Sequence, residues 1–264
     1  MLIRAGSVLR GRCLATASTR LAATSTSRGA DPTEIATFDR LSHEWMDEVG
    51  PFKPLHSYNR LRLPWILGTL NKTDLTGLRI ADVGCGGGLI SMPLVRLGAR
   101  VDAIDASPEA IKVAELSAKR ILPNAHKNLS FHRSTAEKFA ETRIGQFDAV
   151  VASEIVEHVS DLSSFLSGVA RLAKPGAPIF ITTINKTVAS QIFSVWLAED
   201  VLGLVPPGVH DWEKFVEPDR LSLILEENNC RVNAVQGVSY NPVTNKWSWS
   251  SCDSVNYALT ATRV

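Results

Sequence analysis

Cysteine is scarce in this sequence, and the four present (Cys13, Cys85, Cys230 and Cys252) form no CxxC pair and no metal-ligand spacing. That argues against a disulfide framework and against a cysteine-built zinc site. Long apolar runs are missing too. A membrane-spanning helix needs roughly 18 uncharged apolar residues, and the longest candidate, residues 188–205, is interrupted by Glu199 and Asp200. Acids and lysine are absent from the first 30 residues, where Arg4, Arg10, Arg12, Arg20 and Arg28 sit among Ser, Thr and Ala. This is the composition of a mitochondrial or plastid transit peptide, an arginine-rich amphipathic helix drawn by membrane potential. Residues 31–264 then carry 23 bases against 27 acids. A slightly acidic body argues against a nucleic-acid partner, whose affinity would rest on neutralising phosphates.

With 45% hydrophobic and 21% charged residues the chain is not disordered, and residues 31–264 suit a single α/β domain. Residues 35–49 and 57–71 read as helices, with a kink or break at Pro64, flanking the turn Gly50-Pro51-Phe52-Lys53-Pro54. Short apolar runs follow at 78–83, 101–104, 129–132, 147–152 and 179–183, separated by stretches of helical spacing. The clearest helix spans Pro108 to Ile121: Ala110, Val113, Ala114, Ala118 and Ile121 share a face, Ser107 suits the cap and Pro108 the first turn. Strands alternating with helices predict a mostly parallel sheet covered on both faces. The tail differs, with β-like runs at 232–240 and 255–262 that predict an antiparallel hairpin closing the sheet edge.

The sharpest local feature is Arg79-Ile80-Ala81-Asp82-Val83-Gly84-Cys85-Gly86-Gly87-Gly88, between a strand and a helix over 89–97. Glycines let the backbone turn sharply and approach a ligand closely, with helix N–H groups nearby. Asp105 ends the next strand, 21 residues after Gly84, where an acid can accept hydrogen bonds from both hydroxyls of a ribose. A dinucleotide fingerprint would read GxGxxG, but here Leu89 stands three residues after Gly86. The glycines fall instead at 84, 86 and 88, with Asp82 ahead of them.

The fourth apolar run leads into Glu154-Ile155-Val156-Glu157-His158-Val159. If Glu154 begins a helix, Glu154, Glu157 and His158 lie on one face. Two carboxylates and an imidazole there could hold one divalent cation, and hard oxygens favour Mg²⁺ without excluding Zn²⁺. The same acids could simply complement a helix dipole. In α/β sheets ligands gather at the carboxyl ends of strands, so this cluster is expected to face the glycine loop's crevice.

The D-x-G-x-G-x-G turn with a later ribose acid resembles the nucleotide half of class I S-adenosylmethionine methyltransferases. That resemblance implies a Rossmann-like α/β fold with a seven-stranded, mostly parallel sheet. It puts Gly84 and Gly86 beside the methionine moiety, Asp82 in support of the loop, Asp105 on the ribose and Ala136, in Ser134-Thr135-Ala136-Glu137, near adenine. From about Thr37 to Tyr257 the chain resembles, more narrowly, the ubiquinone biosynthesis O-methyltransferases. The stretches that carry this include Phe52-Lys53-Pro54-Leu55-His56, Asn59-Arg60-Leu61-Arg62-Leu63, Glu154 to Val159, Pro207-Gly208-Val209-His210-Asp211-Trp212, Tyr240-Asn241-Pro242 and Val255-Asn256-Tyr257. Arg60 departs from the proline that related enzymes often carry.

By position, the resemblance implies a cofactor site at Arg62, Gly84, Asp105 and Ser153, and divalent-metal ligands at Glu154, Glu157 and His158. It further implies methylation of catechol-like hydroxyls on polyprenylated rings at two steps of ubiquinone synthesis, on the matrix side of the mitochondrial inner membrane and within a multi-subunit complex. His158 or His210 could take the phenolic proton in place of a metal; His210 could equally be a structural lid residue. The apolar insertion within 185–215 is read either as a peripheral membrane contact and lid for the isoprenoid tail or as a core-packing helix. The competing functions are the same cofactor chemistry on another phenol or lipid, an NAD-binding oxidoreductase, and a cofactor-binding assembly subunit without turnover.

Overall fold

The computed structural model describes residues 42–124, 126–186 and 215–264, together with positions 35, 36 and 39. The transit segment, the apolar insertion and His210 lie outside the described residues. Alternation of strand and helix is realised as the apolar runs demand. β1 (Arg79–Val83), β2 (Arg100–Asp105), β3 (Leu129–Arg133), β4 (Ala149–Ser153) and β5 (Pro178–Ile184) pair in parallel. Between and around them lie α1 (Lys53–Thr69), α2 (Ser91–Arg96), α3 (Pro108–Ile121), α4 (Ala136–Ala140) and α5 (Leu162–Leu172). α6 (Pro218–Glu227) precedes three antiparallel strands, β6 (Cys230–Asn241), β7 (Lys246–Ser250) and β8 (Asn256–Arg263).

The sheet has eight strands among the described residues, in the order β3-β2-β1-β4-β5-β8-β6-β7, one more than expected. The extra strand is β7, Lys246-Trp247-Ser248-Trp249-Ser250, inside what reads as a polar connector. Two tryptophans alternating with serines make one apolar face, and that face packs against α1.

Period-two alternation explains how one sheet supports two cores. Ala81, Val150, Ile179 and Ile181 face a cluster with Phe139 of α4, Phe165, Leu166 and Val169 of α5, and Leu221 and Leu225 of α6. Their neighbours Ile80, Val151 and Phe180 face the opposite cluster, with Ile66 of α1, Leu94 and Val95 of α2 and Ala118 of α3. α3 starts as its sequence predicts: Ser107 Oγ accepts from Ala110 N at 2.9 Å, and Pro108 occupies the first turn.

Two helical expectations change. α1 runs through Pro64 from Lys53 to Thr69 without a break. The helix expected over 35–49 is present at the described residues Ile35, Ala36 and Asp39 but does not extend to 49; residues 42–44 form a 3₁₀ turn and irregular turns continue to Gly50. A strand order that reverses between β1 and β4 creates the crevice where α/β sheets bind ligands. The glycine loop leaves β1 on one side of it, and Ser153-Glu154 leaves β4 on the other.

Candidate active site

The glycine loop is held open from its own strand and the next one. Gly84, Gly86 and Gly88 take φ of 75°, 50° and 81°, a left-handed region that a Cβ disfavours. Ile104 O accepts from both Gly84 N (2.8 Å) and Cys85 N (3.0 Å). Close approach matters as much as φ at Gly84, where a Cβ would lie 2.4 Å from Ile155 Cγ1 of the loop after β4. The two halves of the crevice therefore touch at this point. Across Gly86 and Gly87 lies Trp45, stacked on Phe52 with ring centroids 3.9 Å apart.

Asp82 and Asp105 bracket the loop. Asp82 is buried in β1 and accepts from Ser91 Oγ, which ties the start of α2 to the strand. Asp105 accepts from Gly86 N through Oδ2 and from Ser107 N through Oδ1, both at 2.8 Å. One carboxylate thus joins the glycine loop to the start of α3. Burial raises the pKa of Asp105. Burial also pushes the Asp82 carboxyl up to about 6; Ser91 and Arg62 pull it down and the charge of Asp105 adds to the rise.

This has a consequence for stability. A carboxyl raised from 3.8 to about 6 in the fold binds protons more tightly folded than unfolded. Its stabilising protonation is full below pH of about 4 and is lost as pH rises through about 6. Asp82→Asn removes that titration. Relative to the parent chain it is expected to gain on the order of 2–3 kcal/mol between about pH 4 and pH 7. Urea melts of both proteins at several pH values measure the difference; parallel pH profiles would refute it.

Arg62 of α1 is buried and reaches across the crevice. Its Nη1 donates to Ser153 Oγ at 2.6 Å, and its Nη2 to Asn59 Oδ1 (2.7 Å) and Leu55 O (3.0 Å). Ser153 Oγ in turn meets Thr182 Oγ1 of β5 at 2.6 Å. Asn59 Nδ2 donates to Leu89 O beside the glycine loop, at 2.7 Å. Arg62 and Ser153, which the resemblance selects, are thus in direct contact, and Asn59, Tyr58 and Thr182 join them. Arg62 Nε is buried with no hydrogen-bond partner among the described residues. Such atoms call for an acceptor supplied from outside the fold. Ala136 is buried in the core, behind a Thr135 cap whose Oγ1 accepts from Lys138 N.

The acidic group departs from its expected arrangement. Glu154 does not begin a helix: it stands at φ 55°, and only Val156–His158 forms a short 3₁₀ turn. Its amide donates to Thr182 O (2.8 Å), which keeps it on the strand-side path. A glutamate in the left-handed region is strained, and such strain concentrates at functional sites. Glu157 is buried and accepts from Thr183 Oγ1 at 2.8 Å. Burial first, then the charge of Glu157, raises Glu154 to about 7, while Thr182, Arg62 and His158 oppose the rise. The three groups sense one another, but their donors are not gathered. No group of three or more His, Cys, Asp or Glu among the described residues is arranged to hold a metal ion.

Known proteins fit this geometry. The Methyltransferase domain family matches residues 81–181, the segment from the glycine loop to β5. The mitochondrial ubiquinone biosynthesis O-methyltransferase of Rattus norvegicus is 44% identical over 247 residues, 90% of this chain and 71% of that protein. The ubiquinone biosynthesis O-methyltransferase of Caulobacter sp. (strain K31) is 38% identical over 254 residues, 93% of this chain and 99% of that one. The chain belongs to the ubiquinone biosynthesis O-methyltransferase family.

It is an S-adenosylmethionine-dependent O-methyltransferase. The magnesium protoporphyrin IX methyltransferase of Synechocystis PCC 6803 with bound SAH shares the fold. Its TM-score is 0.62 at 21% identity, over 87% of this chain and 94% of that one. Membership in the O-methyltransferase family removes the NAD-oxidoreductase alternative. Tyr58, Asn59, Thr182 and Thr183 stand in this candidate site and are missed by sequence reasoning: Thr182 and Thr183 meet Ser153 and Glu157 across 29 and 26 residues, while Tyr58 and Asn59 meet Arg62 within one helix, where no local pattern marks them.

Proposed function

We propose that this O-methyltransferase methylates catechol-type hydroxyls of polyprenylated ubiquinone precursors, polyprenyl-dihydroxybenzoate and demethylubiquinol. The observation that carries this reading is the contact of Gly84 with Ile155. It brings the glycine loop against Ile155, in the segment that carries Glu154 and Glu157, which supports one shared crevice for cofactor and substrate. A partnerless buried donor, Arg62 Nε, fits a cofactor that brings polar acceptors of its own. Asp105, at the end of β2, suits the ribose.

Methyl transfer is an in-line displacement. The ring oxygen attacks the sulfonium methyl from about 3–3.5 Å, the carbon–sulfur bond breaks, and neutral S-adenosylhomocysteine leaves. The phenolic proton, with a pKa of roughly 10 in water, must depart. Two carboxylates and an imidazole are donor types that a hard divalent cation takes, and although Glu154, Glu157 and His158 are not gathered around one point, a counter-charge would relieve the repulsion between the two carboxylates. When bound there, Mg²⁺ supplies positive charge that lowers the phenol's pKa. Thr183 holds Glu157 as an acceptor, and the Thr182 carbonyl fixes the backbone of Glu154.

A second reading, with Glu154 as general base, is favoured by its pKa of about 7 and by the ungathered donors. Incubation with methyl-labelled S-adenosylmethionine and a short-tailed catechol separates them. Labelled ether is expected, lost in excess chelator and restored by Mg²⁺. Full turnover in chelator would eliminate the cation and leave Glu154 as base. No labelled product from any catechol would overturn the substrate class.

The mammalian relatives are named mitochondrial, and the arginine-rich leader extends that location to this chain in our reading. No helix among the described residues is long and apolar enough to cross a membrane. Peripheral contact on the matrix side through residues 187–205, and membership in a multi-subunit biosynthetic complex, complete the proposal. The chain spans about two thirds of the length of the mammalian relatives and nearly all of the bacterial one.

A further inference from the structure

The C-terminal hairpin reaches back to the helix that carries Arg62. Trp247 of β7 stacks on Tyr58 of α1, with ring centroids 4.1 Å apart and planes inclined by 15°. Its Nε1 donates to Pro54 O at 2.8 Å, in the first turn of the same helix. The Arg62 guanidinium lies over the same Tyr58 ring, 4.7 Å from its centroid. One ring face accommodates only one such neighbour, so Tyr58 is held between Trp247 and Arg62. Both Trp247 and Tyr58 are aromatic platforms with few torsions, and a cation over a desolvated ring is held with directional preference. At the turn of the hairpin, Asn245 Oδ1 accepts from Ser57 Oγ (2.9 Å) and Tyr240 Oη (3.1 Å), which fixes the register of hairpin on helix.

We propose that Trp247 is a positioning residue for cofactor capture, acting through Tyr58 on Arg62. This rests on the reading that Arg62 belongs to the cofactor site. Arg62 carries a long, flexible side chain, and its bond to Ser153 spans from α1 to the end of β4. Ordering such a side chain has an entropic cost. The stack meets that cost before the cofactor arrives, so affinity depends on a residue 185 positions further along the chain.

Calorimetric titration of the full chain with S-adenosylhomocysteine tests this, at a temperature well below the melting point of every variant. Trp247→Leu removes the ring and the donor; its Kd is expected to rise roughly threefold to tenfold. Trp247→Phe keeps a ring on Tyr58 and is expected to recover most of the affinity. Trp249→Leu serves as the control: Trp249 lies in the same strand but packs edge-on against Trp65, at 5.8 Å. It is expected to lower Tm and leave Kd unchanged.

Equal Kd in Trp247→Leu and the parent chain, or equal losses from the Trp247 and Trp249 variants, would overturn the positioning role. Arg62→Ala separates this from the site assignment. If that variant binds as tightly as the parent, Arg62 is no cofactor residue and the proposal falls with it. If Arg62→Ala weakens binding while Trp247→Leu does not, the proposal alone fails.

Discussion

Asp105→Ala is expected to raise the dissociation constant for S-adenosylhomocysteine at least about 100-fold. Two charge-assisted hydrogen bonds to ribose hydroxyls are each worth roughly 1.5–3 kcal/mol, and their sum exceeds a hundredfold even at the lower limit. A further loss comes from the unliganded protein. The carboxylate accepts from Gly86 N and Ser107 N, so alanine leaves both amides without their partner and loosens the loop that must meet the cofactor. Asp105→Asn divides the two contributions. An amide oxygen can still accept from Gly86 N, but the charge and one acceptor are gone. Its affinity should fall between that of the parent and that of alanine. Calorimetry gives the affinities and circular dichroism checks the fold; unchanged affinity in the alanine variant means that the ribose lies elsewhere.

Asp105 also shows what can be read from a sequence and what cannot. Its place at the end of a strand after a glycine loop follows from local pattern, as does the capped helix Pro108–Ile121. Both depend on residues within one β-α unit, where periodicity and backbone rules act directly. The strands of the parallel sheet are legible for the same reason. β7 is not, because Trp247 and Trp249 read as isolated aromatics until α1 lies over them. The pairing of Arg62 with Ser153 spans 91 residues and comes only through family resemblance. The backbone of Glu154 is not legible either: acids after a strand suit a helix start, but Thr182 O holds its amide on the strand-side path. That choice is made by the neighbouring strand, and no local preference reveals it.

The turnover step singles out Glu157. It is buried, 3% exposed, and an acid so enclosed persists only with partners. Thr183 Oγ1 is one of them. Glu157→Gln keeps the size and still offers an oxygen to Thr183, so the fold should survive. What it removes is the negative charge beside Glu154, and with it the acceptor chemistry on which either proposed route draws. In the cation route a neutral amide is a poorer ligand for a hard ion. In the base route Glu154 loses the neighbour whose charge helps raise its pKa, and becomes a weaker base. Turnover is therefore expected to drop about 100-fold or more, with the affinity for S-adenosylhomocysteine within about twofold of the parent, because Arg62 and Asp105 are untouched. Single-turnover transfer of labelled methyl, measured beside calorimetry, distinguishes the outcomes. Unimpaired transfer would remove Glu157 from the chemistry, and a parallel loss of cofactor affinity would make it part of the cofactor site instead.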